Sequence, residues 1–340
     1  MNHVWLDVDP GHDDAIAILL AVHCPNVHLM GISTVHGNAS ALHTAQNAAR
    51  CLHAFGAPED IHVYPGASKP LIRPTKHDPE IHGEDGLGGV EGLDAADSPS
   101  SLTRFVLDDG GVPVRALEGM AKSIQEAIAK GHKIVVVSCG PCTNIALFVS
   151  VYPDLLKGIE QFVFMGGGVG LGNRSAVAEY NVLCDPEAAQ ILLDTPVRKI
   201  MIPINVTHTA IATSAIQSKL LSPSGGLRHT LSTLITYFAD SYKSTFGFED
   251  GPPLHDPLTI AFVSRPDLFS CQRYRVDVEL GGTHTTGETV VDIWDYRSCD
   301  ESWGPLGKNC LVAKSVDVDG FFELFFRCVE KCDKVSPLNH

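Results

Sequence analysis

The chain has 340 residues and a formal net charge of −15, with 44% hydrophobic and 19% charged residues. This composition is typical of a globular protein with a sizeable core, and the acidic balance disfavours a surface that binds nucleic acid. No apolar run is long enough to cross a membrane, no signal peptide precedes the first strand-like segment, and the ten cysteines lack the spacing of a disulfide framework. We therefore expect a cytoplasmic protein with reduced cysteines.

Apolar runs rich in β-branched residues alternate with helical patterns along most of the chain. Such alternation predicts parallel strands joined by helical crossovers, and continuous apolar strands such as "KIVVVS" predict a sheet covered on both faces. We therefore predict an α/β fold: a single domain over residues 1–340 with a mostly parallel central sheet and helices on both faces. The predicted strands are 4–8, 29–35, 61–64, 134–138, 162–165 and 199–204, and the predicted helices are 13–23, 41–55, 117–130, 143–151 and 185–193.

Two later stretches depart from this alternation. Residues 66–110 are rich in glycine, proline, aspartate and histidine and show little periodicity, which predicts a mobile loop region. After Asp256 the pattern becomes β-like and ends with a predicted amphipathic helix at 320–331. No linker divides the chain, which supports the single-domain prediction.

Four aspartates lie in the apolar opening stretch "VWLDVDPGHDDAIAILLAV". Asp7 and Asp9 fall at the end of the first predicted strand, on the same face of it. Asp13 and Asp14 fall in the first turn of the following helix, where the helix dipole favours carboxylates. Buried carboxylates that converge at one strand end repel one another unless a cation neutralises them. Because carboxylates offer only oxygen, the pattern indicates a hard ion, Mg²⁺ or Ca²⁺.

Two families have aspartates at such a strand end. Haloacid-dehalogenase-like phosphatases have a similar pair, but Pro10 and Gly11 stand where that motif has a hydroxyl or valine residue. The chain as a whole resembles the nucleoside hydrolases, whose opening signature DxDPGxDDAxAI is intact at residues 7–18. Further segments match motifs of that family and follow one another in the same order. They are "TVHGN" (34–38), "EIHGEDGLG" (80–88), "CGPCTNIA" (139–146), "MGGGVGLGNRSAVAEYNVLCDPEAA" (165–189), "INVTHTAIAT" (204–213) and "LHDP" (254–257).

The resemblance implies a metal-dependent reaction, the hydrolysis of the N-glycosidic bond of ribonucleosides to ribose and free base. It implies a bound Ca²⁺ held by the carboxylates of Asp9, Asp14 and Asp256 and by the backbone carbonyl of Cys139. Asp9 would also be the general base that activates the attacking water.

The resemblance also implies the residues that hold the substrate. Those expected to bind it are Asp13, Asn38, His82, Asn173, Glu179, Asn181 and His255. Of these, His255 is the candidate acid for the leaving base, and His82 lies in a loop expected to close over the base. Since Glu179 and Asn181 are two residues apart, we expect them to share a face of an extended segment.

Base preference and assembly follow from the same resemblance. Purine-preferring members stack the base on tryptophan, and none of Trp5, Trp294 and Trp303 lies in a motif loop. In addition, "GFEDGPPLHDP" (247–257) resembles fungal-type uridine ribohydrolases. We therefore expect uridine as substrate, with inosine and cytidine as further candidates, in nucleoside salvage. We also expect a homodimer or homotetramer without nucleic-acid or membrane partners.

Two other functions are compatible with parts of the pattern. A non-catalytic protein that binds nucleosides or ribose would keep the pocket but lose the general base or a metal ligand, and Asp9, Asp14 and Asp256 are all present. The second is a redox function, because Cys139-Gly-Pro-Cys142 lies between a strand and a helix as in thioredoxin. The site falls within a long α/β pattern, which favours a structural turn.

Overall fold

A central sheet of eight strands forms the middle layer of the protein. The computed structural model describes residues 1–222 and 224–340. The strand order is β3-β2-β1-β4-β5-β6-β10-β7, with every pair parallel except β10 and β7. These strands are β1 (Asn2–Val8), β2 (Val27–Thr34), β3 (Val63–Pro65), β4 (Ile134–Ser138), β5 (Ile159–Met165), β6 (Arg198–Ile202), β7 (Phe269–Tyr274) and β10 (Cys310–Val316), while β8 (Val276–Val278) and β9 (Thr289–Val291) form a separate antiparallel pair.

Thirteen α-helices accompany the strands in the described residues, several of them only one turn long. They are α1 (His12–His23), α2 (Ala41–Ala54), α3 (Pro79–His82), α4 (Pro99–Leu102), α5 (Ala116–Ala129), α6 (Thr143–Val151), α7 (Tyr180–Cys184), α8 (Pro186–Asp194), α9 (Ile204–Thr207), α10 (Ser214–Leu220), α11 (Gly226–Phe246), α12 (Pro257–Ser264) and α13 (Val318–Cys332). Short 3₁₀ helices span Pro153–Gly158, Pro266–Leu268 and Pro337–Asn339. None of the helices in the described part of the chain is both long and apolar enough to span a bilayer.

Helices cover both faces of the sheet, as the continuous apolar strands predict. On β1, Val4 and Leu6 belong to a core cluster that includes residues of α1, α2 and α11 to α13. Trp5 points to the other face and belongs to a second cluster with residues of α5, α6 and α8. Because side chains alternate along a strand, burial on both faces requires apolar residues at every position. The fold prediction is therefore confirmed.

The sheet reverses its strand order between β1 and β4. From β1 the chain proceeds outward to β2 and β3, and from β4 it proceeds outward in the opposite direction to β5 and β6. The helices that follow β1 and β4 therefore lie on opposite faces and leave a crevice at the carboxyl ends of these two strands. The crevice is the place where this class of fold binds ligands.

The predicted helices and strands are confirmed within a few residues of their ends. The sequence reasoning missed the short helices α3, α4, α7, α9 and α10 and the helices α11 and α12, and the interpretation of the stretch after Asp256 as β-like was wrong at its start. The segment "PLTIAFVS" forms α12, with all eight residues buried. Periodicity cannot distinguish a short, wholly apolar helix from a buried strand.

Candidate active site

The candidate active site lies in the crevice between the carboxyl ends of β1 and β4. Asp9 follows the last residue of β1 by one position, and Cys139 directly follows β4. The amide N–H of Cys139 donates to the carbonyl oxygen of Asp7 at 2.8 Å, which joins the two strand ends. The residues beyond each strand are thus held side by side.

The start of α1 fixes the carboxylate of Asp14. Its Oδ2 accepts hydrogen bonds from the Gly11 N–H at 3.0 Å and from Nδ2 of Asn38 at 3.1 Å, and its Oδ1 accepts from the Asp9 N–H at 3.2 Å. Free N–H groups and the positive end of the helix dipole stabilise a carboxylate at this position. The local sequence therefore places the buried carboxylate of Asp14 beside the carboxyl end of β1.

Asp9 is fully buried, and only one of its two carboxylate oxygens has a hydrogen-bond partner. Its Oδ2 accepts from the Asn38 N–H at 2.8 Å, whereas its Oδ1 has no hydrogen-bond partner. A methyl group at Gly140 would lie only 2.4 Å from that Oδ1, so a glycine is required beside it. Burial, followed by the charge of Asp14, raises the pKa of the Asp9 carboxyl well above its usual range. A buried oxygen without a partner is suited to bind an ion or accept a proton.

Three further carboxylates meet beside Asp9. One oxygen each of Asp13, Asp14 and Asp256 lie within 4.8 Å of one another, and all three residues are buried. Burial and then the charge of Asp14 raise the pKa of Asp13 to about 7, and burial and then Asp13 raise that of Asp256 well above its usual range. The mutual repulsion of these acids favours either bound protons or a bound cation.

The donor set fits a hard divalent cation. The carboxylates supply several oxygens in a small buried volume, and the unpartnered Oδ1 of Asp9 adds another. The carbonyl oxygen of Cys139 accepts a hydrogen bond from Nδ2 of Asn181 at 2.7 Å, which leaves one of its two lone pairs for a ligand. Oxygen-only sites of this kind suit hard ions such as Ca²⁺, Mg²⁺ or Mn²⁺ better than softer metals such as Cu or Zn.

Asp7 does not join this group, although it lies on the same strand face as Asp9. Its Oδ1 accepts hydrogen bonds from the Ser33 hydroxyl and from Nδ2 of Asn144, the latter at 2.7 Å. Burial raises its pKa to about 7. The prediction that all four opening aspartates converge is therefore wrong for Asp7, because neighbouring polar side chains hold its carboxyl away from the pocket.

The thiols of the Cys-Gly-Pro-Cys turn show the opposite of redox activation. Cys139 and Cys142 are free and buried. Burial raises the pKa of both thiols, and nearby acids raise them further, with Asp256 acting on Cys139 and Asp7 on Cys142. A thioredoxin-like cysteine requires a lowered pKa and access to solvent. The carbonyl oxygen of Cys139 accepts a hydrogen bond from the pocket-lining Asn181 instead.

Glu179 and Asn181 both line the pocket, but the expected extended segment is wrong. Glu179 is the residue that caps the N-terminus of α7, and Asn181 lies in the first turn of this helix. The Glu179 carboxylate accepts from the N–H groups of Asn181 at 2.8 Å, Gly167 at 2.9 Å and Val182 at 3.1 Å. Burial nevertheless raises the pKa of Glu179 to about 7. The capping carboxylate places both side chains at one end of the helix.

A pocket lined by polar and aromatic side chains lies at this site. Nine of the eleven predicted site residues line it, which are Asp13, Asn38, His82, Cys139, Asn173, Glu179, Asn181, His255 and Asp256. The other two, Asp9 and Asp14, are not among the lining residues and lie fully buried behind them. Polar groups of the ribose-binding type and the acid cluster therefore share one cavity.

Both ring nitrogens of His255 have a partner. Nδ1 lies 2.6 Å from the Thr207 hydroxyl, and Nε2 lies 2.7 Å from the hydroxyl of Tyr242, which also lines the pocket. Burial holds the pKa of His255 well below its usual range, so the ring is neutral at neutral pH. If Thr207 donates to Nδ1, then the Nε2–H donates to Tyr242 and frees the Tyr242 proton for a ligand.

His82 is the last residue of α3 and faces His12 across the start of α1. The two Nδ1 atoms are 3.2 Å apart, and Nε2 of His12 lies 2.9 Å from the carbonyl oxygen of Gly88. Since a carbonyl only accepts, neutral His12 donates from Nε2 and its Nδ1 carries no proton. Nδ1 of His82 also lies 3.3 Å from the backbone N–H of His12, which donates to it. His82 then presents Nε2 as its free ring nitrogen.

Several lining residues escaped the sequence reasoning. Phe238, Tyr242 and Phe246 lie four residues apart on one face of α11, the helix that was not predicted, and Asp78, Ile81, Met165, Arg174 and Tyr180 also line the pocket. The four-residue spacing of these aromatic residues is a signal of a helix face. The contacts of Asp78 and Arg174 join distant parts of the chain and leave no local pattern.

Known proteins resemble this chain in both sequence and fold. The sequence profile of the family described as inosine-uridine preferring nucleoside hydrolase matches residues 4–323. The chain is 36% identical over 336 residues to a probable ribonucleoside hydrolase of Dictyostelium discoideum, covering 97% of this chain and 94% of that protein. It is 35% identical over 322 residues to the pyrimidine-specific ribonucleoside hydrolase RihA of Salmonella paratyphi A, covering 94% and 96%.

Solved structures give the same result. The purine-preferring ribonucleoside hydrolase from Gardnerella vaginalis superposes with a TM-score of 0.85 at 28% identity, covering 98% of this chain and all of that one. An inosine-guanosine nucleoside hydrolase superposes with a TM-score of 0.83 at 26% identity, covering 97% and 99%. The relatives thus share a fold and differ in the base that their names specify.

Proposed function

Because the chain belongs to the inosine-uridine preferring nucleoside hydrolase family and is a ribonucleoside hydrolase, we propose that it cleaves uridine with the help of a bound Ca²⁺. The observation that carries the proposal is the meeting of buried Asp13, Asp14 and Asp256 beside the cavity, which Asp13 and Asp256 line together with Asn173 and Asn181. This arrangement offers an ion site and a sugar site side by side. Assembly as a homodimer or homotetramer and location in the cytoplasm stay predictions.

In the proposed site, Asp9, Asp14, Asp256 and the carbonyl of Cys139 hold the ion. Its charge would neutralise the acids and lower the pKa of the attacking water. Calcium accommodates the mixture of carboxylate and carbonyl oxygens found here, together with substrate hydroxyls. Asp13, Asn38, Asn173, Glu179 and Asn181 hold the ribose.

Different residues act on the attacking water and on the departing base, at two ends of the pocket. Asp9 accepts a proton as the water oxygen attacks C1′ of the ribose and the bond from C1′ to the base nitrogen breaks. Its Oδ1, which has no hydrogen-bond partner among the described residues, is free to accept this proton. The surrounding carboxylates stabilise the positive charge that develops on the sugar. The departing base takes its proton from the Tyr242 hydroxyl, the Nε2–H of neutral His255 stabilises the resulting phenolate by its hydrogen bond, and solvent returns the proton to Tyr242.

The preference for uridine rests on two observations. The aromatic lining of the pocket consists of tyrosine, phenylalanine and histidine, and no tryptophan lies among the described lining residues. Trp5 is buried in the core instead, and Trp294 is exposed on the surface. The pyrimidine-specific relative is also more similar in sequence than the purine-preferring structure.

A nucleoside panel tests this proposal. We expect ribose release from uridine, cytidine and inosine, with kcat/KM for uridine exceeding that for inosine at least about tenfold, as pocket shape typically achieves. A preference for inosine would contradict the assigned base specificity. Binding of nucleosides without release of ribose would instead support the non-catalytic alternative.

His255 should act on the leaving group and not on the water. His255→Ala should slow uridine hydrolysis by about 10²–10⁴-fold, the usual contribution of a general acid. Hydrolysis of p-nitrophenyl riboside should be spared, because its p-nitrophenolate group leaves as a stabilised anion. Tyr242→Phe is the matched variant and should show the same pattern, because it keeps the ring and removes the hydroxyl.

Asp9→Ala provides the contrast, since both substrates need an activated water and both should be slowed. Metal content must be measured in each variant because His255 adjoins Asp256 in the sequence. Equal slowing of both substrates in metal-replete His255→Ala would assign His255 to positioning the ribose or the ion.

A further inference from the structure

The guanidinium group of Arg174 contacts two other segments of the pocket wall. Its Nη2 and Nε donate to Oδ1 and Oδ2 of Asp78, the latter at 3.2 Å, and its Nη1 lies 3.7 Å from a carboxylate oxygen of Glu80. On the other side, its Cζ lies 5.2 Å from the centre of the Phe246 ring, at the end of α11. Arg174, Asp78 and Phe246 all line the pocket.

Asp78 transmits this contact to His82. It is the residue that precedes α3, and its carbonyl oxygen accepts from the N–H groups of Ile81 at 3.1 Å and His82 at 3.0 Å. Its own N–H donates to the carbonyl oxygen of Asn38 at 3.2 Å. A displacement of Asp78 would therefore displace the one-turn helix that ends at His82.

The ion pair is enclosed on most sides. The side chains of Arg174 and Asp78 are only 18% and 11% exposed. Removal of the arginine would leave a nearly buried carboxylate without its counter-charge, which is much more costly than loss of a surface ion pair. The segment that carries Asp78 would relieve this cost by moving toward solvent.

We infer that Arg174 is a positioning residue that holds α3, with His82, and the end of α11, with Phe246, around the leaving base. The inference rests on the proposed function, since it assigns Arg174 to the leaving-group half of that reaction. Arg174 follows the ribose-binding Asn173 directly, so one loop contributes to both ends of the pocket. No lysine and no second arginine among the described residues lines this cavity.

A double-mutant cycle tests the inference. Arg174→Gln and Asp78→Asn should each lower kcat/KM for uridine about 10–100-fold, because small displacements of catalytic groups have effects of this size. The double variant should be no more impaired than Arg174→Gln, since the two residues act as one unit. Arg174→Lys should restore activity only in part, because lysine lacks the two-pronged geometry that matches a carboxylate.

Two readouts separate positioning of the base from general support of the fold. With p-nitrophenyl riboside, which requires no proton, the variants should stay within about twofold of the unaltered protein, the usual error of additivity. Hydrogen exchange of the amides of Ile81, His82 and Gly83 should become faster in Arg174→Gln.

Arg73→Gln is the matched control. Arg73 pairs with Glu187 in a similar ion pair between a loop and a helix, and neither residue lines the pocket. This variant should keep its activity on both substrates.

The outcomes distinguish this inference from the proposed function. Additive losses in the double variant, equal slowing of both substrates or unchanged hydrogen exchange would overturn the role of Arg174 in an active enzyme. Failure of the unaltered protein to release ribose from either substrate would overturn the proposed function and this inference with it.

Discussion

2′-Deoxyuridine should be hydrolysed at least about 10⁴-fold less efficiently than uridine, as expected of a site built to bind a hydroxyl group. In the proposed complex the 2′- and 3′-hydroxyls of the ribose meet Asp13, Asn181 and the ion. Loss of one hydroxyl would leave buried polar groups without a partner, and these include acids whose pKa values are raised by burial and then by mutual repulsion. The measurement is kcat/KM for the two nucleosides.

The discrimination should itself depend on the assigned residues. Asp13→Asn should lower activity on uridine and also reduce the ratio between uridine and deoxyuridine, because it weakens the group that recognises the hydroxyl. Comparable kcat/KM values for the two nucleosides with the unaltered protein would contradict the assignment of Asp13 and Asn181.

Asp14→Ala should lose the bound ion and lower activity about 10³-fold or more. Asp14 supplies carboxylate oxygens at the start of α1, and its removal leaves Asp9, Asp13 and Asp256 with less negative charge to attract a cation. Divalent-ion content and kcat/KM, measured on the same preparation, give the result.

Two variants control for the fold. Asp14→Asn keeps an acceptor for the Gly11 and Asn38 donors and should lose the ion while remaining folded. Asp7→Asn removes a buried carboxyl from the same strand, but one held by Ser33 and Asn144, and should keep both ion and activity. Full activity of Asp14→Ala, or loss of the ion in Asp7→Asn, would contradict the proposed ligand set.

The sequence predicted the parts of the fold in which burial leaves a periodic record. The strand Ile134–Ser138 is apolar up to its last residue, and β1 is apolar at Val4, Trp5, Leu6 and Val8, because both faces of the sheet are covered. Their order in the sheet could not be predicted residue by residue. The alternation of strands and helices predicts only the class of topology. It does not predict that the strand order reverses between β1 and β4.

The missed helix α11 shows how a valid signal can be overlooked. Its buried residues Leu227, Leu231, Leu234, Phe238 and Tyr242 are spaced by four, three, four and four positions, a helical period. Threonine, serine and histidine between them obscure the pattern, since these residues are weak helix formers. The aromatic wall of the pocket was missed together with the helix.

Residues that act through contacts across the chain were beyond the sequence reasoning. The bond between His255 and Tyr242 joins two elements, and the pair Arg174–Asp78 joins residues 96 positions apart. Motif resemblance found the acids and amides because each lies in a local signature. It did not find the partners that orient them, whose positions depend on how the loops meet above the sheet.

The divalent-ion content of the purified protein, measured together with ribose release, tests the central claim most directly. We expect about one Ca²⁺ per chain, loss of uridine hydrolysis when a chelator removes the ion, and recovery of hydrolysis when Ca²⁺ is restored. Undiminished release of ribose by protein that contains no divalent metal would contradict it.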